Sequence, residues 1–465
     1  MIKVQQEKNV RQLVLEMLLA VTKKEGGEYS HKVIRDVQNK YNYLSIQEKA
    51  FMKRLFEGTL ERMIELDYCI DCYSKVKVNK MKPVIRTIMR MGVYQILYMD
   101  SVPDSAACNE SVKLAQAKGF STLKGFVNGV LRTVARNKNA IPYPDEKTEY
   151  VKYLSVTYSM PEWIVKLWLQ QLGNDTTVTM LKGLLKERPV TVRMRTDDTK
   201  LIEALRSDLA RQGGTLTKHP YLPYAYTIEK TDDLTQLAGF EEGTFVIQDI
   251  SSMLAVEALA LDKMKPDKKI KILDICAAPG GKSMLAADKL EQAGIPYELE
   301  ARDISEYKVS LMQDNFDRCQ LENARAVAWD ALQTDERLVE QVDVVIADVP
   351  CSGLGVIGRK RDIKYKMNQQ AIDEIVKLQE KILKVAASYV KKGGRLLFST
   401  CTINQAENEK HAAWIRDTLE MTPVSLNLTL PETVHTQTTQ KGYLQLMPGV
   451  WDTDGFFISV FEKQE

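Results

Sequence analysis

Two cysteines in this 465-residue chain stand where side chains can do chemistry. Cys351 lies in ADVPCSGLG and Cys401 in FSTCTIN, and each comes directly after a short apolar run that predicts a buried strand. Adjacent strand ends of a parallel sheet meet at one edge, so we expect both thiols to face one cleft. A cysteine in an apolar run is more often a small core residue, and we assign three others to that class: Cys69, Cys108 and Cys319.

The segment KILDICAAPGGKS, residues 271–283, predicts a buried strand that leads through a loop of small residues into a helix. Its two adjacent glycines allow the backbone to approach a ligand closely. The loop has neither the GxGxxG pattern of dinucleotide-binding proteins nor the GxxxxGK[ST] spacing of a phosphate-binding loop. At the carboxyl end of the first strand of a doubly wound sheet, such a loop predicts a site for a nucleotide-like ligand.

Three aspartates follow the next three apolar runs: Asp303, Asp330 and Asp348. We expect Asp303 to accept hydrogen bonds from ribose hydroxyls and Asp330 to meet an adenine amino group. Asp348 is expected to contact the edge of the reacting base, as a protonated acid. Strand ends are often acidic simply because loops are polar, but three acids in register favour the cofactor interpretation.

Thiols beside such a cofactor site fit methyl transfer to carbon 5 of a pyrimidine. Carbon 5 is a poor nucleophile, and a thiolate that adds to carbon 6 makes the ring enamine-like, so that it can attack a methyl sulfonium. Loss of the carbon-5 proton and elimination of the thiol then restore the aromatic ring. The target base must leave its stack to reach such a pocket.

Two alternatives remain open at this point. The first is an RNA-binding assembly factor whose methyltransferase domain is inactive, although both cysteines and all three acids are present. The second is a methyltransferase for an exocyclic amine, which needs no thiol and commonly has an Asn/Asp-Pro-Pro-aromatic loop. Here that loop reads DVPC, with Cys351 in the place of the aromatic residue.

The chain divides into three predicted domains. Residues 1–141 show apolar residues at helical spacing, and the stretch AIPYPDE then forms a boundary that a helix cannot cross. Residues 142–240 mix helical and strand patterns. Residues 241–465 alternate short apolar runs with helical stretches, which predicts a parallel sheet covered on both faces, and the chain closes with an antiparallel hairpin.

Basic residues are concentrated in the first third of the chain. Residues 1–150 hold 25 Lys and Arg against 17 Asp and Glu, whereas the remainder holds 39 against 45. This asymmetry suits contact with a phosphate backbone, although a charge run alone is more often a solvated helical face. The six basic residues between Asp71 and Asp100 are Lys75, Lys77, Lys80, Lys82, Arg86 and Arg90. We also expect a later basic loop to bind phosphates near the target base: Arg359, Lys360, Arg361, Lys364 and Lys366.

Composition indicates where in the cell the protein resides and whether its cysteines are reduced. No run of about 18 apolar residues exists, and the charged start of the chain lacks a signal-peptide pattern, so we expect a cytoplasmic protein without a membrane span. Seven cysteines are then expected as reduced thiols. Cys69 and Cys72 form a lone CxxC without a second pair, so no metal site is expected.

The motifs CAAPGGK, ADVPCSG and STCT together resemble the RNA 5-methylcytosine methyltransferases of the Sun/NOL family. RMGVYQILYMDSVPDSAACNESVKLAQ, followed by KGFVNGVLR, resembles the NusB-like helical RNA-binding domain. The resemblance implies an all-α NusB-like domain, a small mixed α/β domain and a Rossmann-like class I methyltransferase domain. The last would have a mostly parallel seven-stranded sheet with a C-terminal antiparallel hairpin.

The resemblance also implies residue roles and ligands. Cys401 would be the nucleophile, Cys351 would assist product release, and the methyl donor would be S-adenosyl-L-methionine, with no metal. The substrate would be 16S ribosomal RNA or a small-subunit assembly intermediate, at cytosine 967, and the enzyme would act as a monomer. The cofactor-binding residues would be Cys276, Ala277, Ala278, Pro279, Gly280, Gly281, Lys282, Asp303, Asp330 and Asp348.

Overall fold

The computed structural model describes residues 9–23, 26–41, 43–230, 234–264 and 268–464. The chain forms two compact units, Met1–Leu185 with Ile357–Lys366, and Lys186–Val356 with Met367–Glu465. Residues 142–240 contribute to both units, so the three-domain division remains a prediction. Within the described ranges, none of the helices combines the length and the apolar character that crossing a bilayer requires.

The first unit is helical, as the sequence predicts. Its described helices before residue 185 are α1 (Val10–Val21), α2 (Ser30–Lys40), α3 (Ile46–Glu61), α4 (Met63–Tyr73), α5 (Pro83–Tyr98), α6 (Asp104–Ala117), α7 (Lys124–Asn137), α8 (Tyr150–Thr157), α9 (Glu162–Leu172) and α10 (Asn174–Leu184).

Helix α5 forms the centre of the first unit and packs against α1, α3, α4, α6 and α7. Pro83 starts it at a position where the missing amide proton has no intrahelical partner to lose. Every residue from Thr87 to Ile96 is buried, so this helix is surrounded on all sides. Such a helix is stabilised mainly by its tertiary contacts.

The basic run near α5 is only partly a surface feature. Arg90 is buried and donates two hydrogen bonds of 2.6 Å to Asp67. Arg86 is half-buried, whereas the four lysines of the run are exposed at residues 75, 77, 80 and 82. Four of the six predicted charges are therefore available to a phosphate backbone.

The second unit begins with a small antiparallel sheet. Its elements are β1 (Val190–Met194), α11 (Thr199–Arg211), β2 (Thr215–Lys218), β3 (Ala225–Glu229) and β4 (Phe245–Ile247), with the strand order β2-β3-β1-β4. Arg193 on β1 is 1% exposed and forms an ion pair with Asp288, which Arg195 also contacts at 2.7 Å.

The rest of the second unit is an eight-stranded sheet with the order β10-β12-β9-β8-β5-β6-β7, in which β11 pairs with β12. Its elements are α12 (Ile250–Glu257), β5 (Ile270–Asp274), α13 (Gly281–Gln292), β6 (Tyr297–Asp303), α14 (Glu306–Arg318), β7 (Ala324–Ala328), β8 (Val342–Asp348), α16 (Gln369–Tyr389), β9 (Val390–Thr400), α17 (Glu409–Thr418), β10 (Met421–Pro423), α18 (Gln437–Gln440), β11 (Tyr443–Leu446) and β12 (Phe456–Lys463).

Strands β5 to β9 are parallel, and β12 runs antiparallel to β9, β10 and β11. Helices α12 to α14 cover one face of this sheet, and α16 and α17 cover the other. Along β8, Val344 and Ile346 pack on the first face, and Val345 and Ala347 on the second. The predicted class, a mostly parallel sheet closed by an antiparallel hairpin, is confirmed; β10 adds one short strand to the predicted seven.

Between β8 and α16 the chain returns to the first unit, where it forms the short helix α15 (Ile363–Lys366). Lys364 is 2% exposed and donates to the backbone oxygens of Glu61 at 2.7 Å and Ser159 at 2.6 Å. Burial lowers the pKa of Lys364 to about 7.

The other cations of this segment differ in their surroundings. Arg361 pairs with Glu57 and Glu61, and Lys366 pairs with Asp362. The predicted phosphate contact is therefore wrong for the buried Lys364, and for Arg361 and Lys366, which form ion pairs within the first unit, it stays a prediction. Arg359 and Lys360 are exposed.

We expect Gly58→Ala, on α3, to destabilise the protein by about 2 kcal/mol, because the added Cβ would overlap the buried ring of Tyr94. The matched control is Gly129→Ala on α7, where no atom lies within 4 Å of the added methyl group. That variant should gain about 0.5–1 kcal/mol from the lower entropy of the unfolded chain. Urea unfolding of both variants measures the difference, and an equal response would contradict this packing.

Candidate active site

Backbone hydrogen bonds fix the conformation of the loop between β5 and α13. The amide of Ala277 donates to the carbonyl of Arg302 at 2.8 Å, and that of Gly280 to the carbonyl of Ala277 at 2.7 Å. Gly280 has φ +95°, and a Cβ there would lie 3.2 Å from the ring of Phe316. Only glycine adopts this turn without strain. The first amides of α13 are thereby presented without a side-chain cap.

A cavity of about 400 Å³ opens at the carboxyl ends of β5 to β8. All three predicted aspartates line it, together with Cys276 and Ala278. Asp303 accepts from the amide of Ser305 at 3.0 Å and from Lys308 at 3.4 Å, and Asp330 accepts from the amide of Leu332 at 2.9 Å. Apolar side chains complete the wall: Ile275, Ile304, Leu332, Leu378 and Ile382.

Asp348 forms the centre of the site. Lys282 donates to its Oδ2 at 2.7 Å, and Ser399 donates to its Oδ1 at 2.8 Å. Both oxygens thus accept hydrogen bonds, which suits a carboxylate and not the protonated acid that we expected. Burial would lower the pKa of Lys282, but the charge and hydrogen bond of Asp348 outweigh it, and the pKa is raised.

A smaller cavity of about 170 Å³ shares Ala278 and Asp348 with the larger cavity. Of the predicted cofactor residues, Ala277, Pro279, Gly281 and Lys282 line this cavity and not the larger one, and Gly280 lines neither.

Two buried polar atoms at this smaller cavity have no hydrogen-bond partner among the described residues, Nε2 of Gln248 and Oδ1 of Asp274. Arg193 donates to Oε1 of Gln248 at 2.9 Å, which fixes the amide so that Nε2 points away from the arginine. Burial raises the pKa of Asp274 to about 7, against the hydrogen bond from Ser283. Unsatisfied buried groups of this kind indicate a polar ligand.

The two predicted cysteines lie side by side. Their Sγ atoms are 3.2 Å apart, and both are reduced thiols. The amide of Gly355 donates to the carbonyl of Cys401 at 3.1 Å, which ties the loop after β8 to the loop after β9. The hydrogen bond to Cys401 and burial together raise the pKa of Cys351 well above its ordinary value.

Three further cysteines match the core class that was predicted for them. Cys69, Cys108 and Cys319 are between 0% and 2% exposed and belong to the apolar cores. Sequence reasoning missed three polar residues of the site: Gln248, Asp274 and Ser399. Asp274 and Ser399 stand at the ends of predicted strands, which was a usable signal. Gln248 follows the short apolar run of β4 and belongs to no motif.

The fold and the site define a class I, S-adenosylmethionine-dependent methyltransferase that follows a NusB-like helical unit. The family described as 16S rRNA methyltransferase RsmB/F matches residues 260–462, and the NusB family matches residues 8–136. The chain is 34% identical to the "Probable ribosomal RNA small subunit methyltransferase B" of Bacillus subtilis, over 98% of this chain and 99% of that protein. It is 30% identical to the ribosomal RNA small subunit methyltransferase B of Klebsiella pneumoniae, over 98% of each.

This chain belongs to the ribosomal RNA small subunit methyltransferase B family, and it is a methyltransferase of 16S rRNA. Solved structures share the fold. The crystal structure of PH0851 covers 98% of each chain with a TM-score of 0.77 and 22% identity. The structure of NSun6 from Pyrococcus horikoshii covers 66% of this chain and 98% of its own, with a TM-score of 0.55 and 20% identity.

The raised pKa of Asp274 predicts a pH-dependent stability. Because its folded-state pKa of about 7 lies above the ordinary value of 3.8, folding takes up a proton between these values. The protonated carboxyl of Asp274 therefore contributes fully to stability at low pH, and this contribution is lost as the pH rises towards 7. Asp274→Asn cannot ionise at this position. Its free energy of unfolding, measured relative to that of the wild type, should therefore rise by about 2 kcal/mol or more from about pH 4 to pH 8.

Urea unfolding at several pH values measures this difference. The control is Asp373→Asn on the exposed side of α16, which replaces a carboxylate outside the buried site. A constant difference for Asp274→Asn would show that its carboxyl titrates normally.

Proposed function

We propose that this 16S rRNA methyltransferase modifies carbon 5 of a cytosine, with Cys401 as the covalent nucleophile and Cys351 as the residue that assists release. The observation that supports this most is the 3.2 Å separation of the two sulfurs. Cys351 lies on the loop after β8, and Cys401 lies on the loop after β9. The hydrogen bond between Asp348 and Ser399 joins these two strands at the ends from which the loops start. Methylation of an amine would need neither thiol.

The proposed reaction proceeds by addition of the thiolate, methyl transfer, loss of a proton and elimination of the thiolate. The thiolate of Cys401 adds to carbon 6 of the ring, which makes carbon 5 nucleophilic. S-adenosylmethionine, when bound, would supply the electrophilic methyl group, and the break of its sulfur–methyl bond would leave S-adenosylhomocysteine. After transfer, a base removes the proton from carbon 5, and the carbon–sulfur bond breaks so that the thiolate leaves and the ring regains its double bond. Cys351 lies within hydrogen-bond distance of the leaving sulfur.

The cofactor fits the larger cavity. Its volume of about 400 Å³ lies in the usual range for such ligands. Asp303 keeps acceptor capacity for ribose hydroxyls, and Asp330 lines the same wall beside Ile304 and Leu332, which suits an adenine ring. The structure of NSun6 from Pyrococcus horikoshii was solved with an S-adenosylmethionine analogue.

We assign the smaller cavity to the target base. The carboxylate of Asp348 can accept from the exocyclic amine of cytosine, which uracil lacks. The free amide donor of Gln248 suits a ring acceptor such as N3 or O2 of cytosine, and an unmet donor there costs about 1–3 kcal/mol. Lys282 connects the two cavities through its hydrogen bond to Asp348.

The RNA partner we propose is 16S ribosomal RNA, or a small-subunit assembly intermediate, at cytosine 967. The exposed lysines near α5 (Lys75, Lys77, Lys80 and Lys82) suit its phosphate backbone. Retention of both thiols and of the cofactor-cavity acids favours catalysis over a role as an inactive assembly factor.

Product analysis tests the proposed reaction. The enzyme is incubated with labelled S-adenosylmethionine and small-subunit RNA that lacks the modification, and the RNA is then digested to nucleosides. We expect the label in 5-methylcytidine. Label in a base methylated on its amine would support the amine methyltransferase instead, and RNA binding without label would support the assembly factor.

The two cysteine roles predict opposite phenotypes. Cys351→Ala should accumulate a covalent protein–RNA adduct, visible as a slow band on a denaturing gel, because addition proceeds but release is impaired. Cys401→Ala should lose methylation by a factor of about 1000 or more and give no adduct, since the nucleophile is absent. The control is Cys108→Ala, a core cysteine of α6 that should behave as the wild type. An adduct in Cys401→Ala would mean that the roles are reversed.

A further inference from the structure

The orientation of the Gln248 side-chain amide is fixed by a buried arginine. Arg193 is 1% exposed, and its Nε donates to Oε1 of Gln248 at 2.9 Å. A guanidinium has no acceptor, so the oxygen of the amide and not its nitrogen must face Arg193. The backbone amide of Gln248 donates to the carbonyl of Thr191 at 3.2 Å, which holds the residue beside β1. Gln248 therefore cannot turn its amide over without losing the hydrogen bond from Arg193.

The nitrogen of the same amide lies at the smaller cavity. A Cβ built on Gly281 would be 3.5 Å from Nε2 of Gln248, and both residues line that cavity. Gln248 is 6% exposed, and its Nε2 has no hydrogen-bond partner among the described residues. Burying a donor without a partner is costly, so this position is prepared for an acceptor atom of a ligand.

Arg193 is also fixed on the side away from Gln248. Its guanidinium forms an ion pair with Asp288, to which Arg195 donates at 2.7 and 3.0 Å. Asp288 belongs to α13, the helix that starts with Gly281 at the cavity. The ion pair therefore connects the orientation of the Gln248 amide to the helix that forms one wall of the cavity.

Cytosine and uracil differ at the ring atom that suits this donor. N3 of cytosine is an acceptor, whereas N3 of uracil carries a proton and is a donor. Asp348, whose two oxygens are acceptors, lines the same cavity and suits the amine on carbon 4 of cytosine. A donor for N3 beside an acceptor for the amine matches the Watson–Crick edge of cytosine, the edge by which enzymes read a flipped base. Uracil would place like groups against each other at both atoms.

We propose that Gln248 binds N3 of the target cytosine, and that Arg193 is a positioning residue that makes this amide a donor only. The inference rests on the proposed cytosine-5 reaction and on the assignment of the smaller cavity to the target base. It adds a second criterion against uracil to the contact with Asp348. Without Arg193, the amide would be free to turn over and to accept the N3 proton of uracil.

Binding of two RNAs that differ at one atom of one base tests this. The RNAs carry cytosine or 3-deazacytosine at the target position, and in the second a C–H group replaces the acceptor N3. The full-length protein carries Cys401→Ala, so that no covalent bond forms and dissociation constants are measured at equilibrium. This protein should bind the 3-deazacytosine RNA about tenfold more weakly, because the donor of Gln248 then stays unpaired.

Further substitutions in the Cys401→Ala protein separate the donor from its support. Gln248→Met removes the donor, and the ratio of the two dissociation constants should fall to about one. Arg193→Met frees the amide to rotate and should lower the ratio to about threefold, whereas Arg193→Lys keeps a donor for Oε1 and should leave it near tenfold. The matched control is Gln370→Met, at an exposed glutamine of α16, which should also leave the ratio unchanged.

The ratio compares two RNAs on one protein, so a general loss of affinity cancels. A ratio of one before any substitution of Gln248, or an unchanged ratio in Gln248→Met, would overturn the inference. An unchanged ratio in Arg193→Met would leave Arg193 a structural residue. If Arg193→Met does not fold, Gln248→Glu keeps an oxygen for Arg193 and turns the donor into an acceptor, so its ratio should fall below one.

Product analysis distinguishes failure of this inference from failure of the proposed reaction. If 5-methylcytidine forms at the target position and the ratio is one, the role of Gln248 is refuted and the proposed reaction stands. A different methylated nucleoside refutes the proposed reaction and this inference with it.

Discussion

The parallel pairing of β8 with β9 is the constraint on which the site depends. It sets Asp348 opposite Ser399, and the hydrogen bond of 2.8 Å between their side chains closes the pair at its carboxyl end. Cys351 comes three residues after Asp348, and Cys401 comes two residues after Ser399. A slip by one residue would turn every side chain of a strand to the other face, so the apolar layers on both faces fix the position of the thiols.

Around this pair, the site has more charge than a buried region usually carries. Lys282 and Asp348 balance each other, and Asp274 has one satisfied oxygen and one without a partner among the described residues. Each group costs free energy to bury, and each is placed by backbone or side-chain hydrogen bonds from a neighbouring strand or loop. One polar atom each of Asp274 and Gln248 is buried without a hydrogen-bond partner among the described residues, so the free-energy cost of burying it is not offset. This is expected where a polar ligand completes the hydrogen bonds.

The fold followed from the sequence to a large extent because short apolar runs between helical stretches leave few arrangements other than a covered parallel sheet. The strand predicted at the start of segment 271–283 is β5, and the apolar runs predicted to end near Asp303 and Asp348 are β6 and β8. Strand β9 begins at Val390, ten residues before Thr400, and Val390 already pairs with Val342. Motif-bearing residues such as Cys351 were identified because their position after a strand is itself a sequence feature.

Other residues could not be predicted because their partners are distant in sequence. Lys364 reads as a surface cation in a basic loop, yet the backbone carbonyls that bind it belong to residues about 200 and 300 positions earlier. Gln248 is relevant because of Arg193, and no spacing rule links this pair. Buried polar networks of this kind become visible only when the tertiary contacts are known.

The covalent role of Cys401 is tested most directly with RNA that carries 5-fluorocytosine at the target position. Fluorine cannot leave carbon 5 as a proton does, so the reaction should stop after methyl transfer with the ring still bound to sulfur. Digestion and mass spectrometry should then locate the nucleotide on the peptide that contains Cys401. A nucleotide on the peptide that contains Cys351, or methyl transfer with no bound nucleotide, would contradict the account.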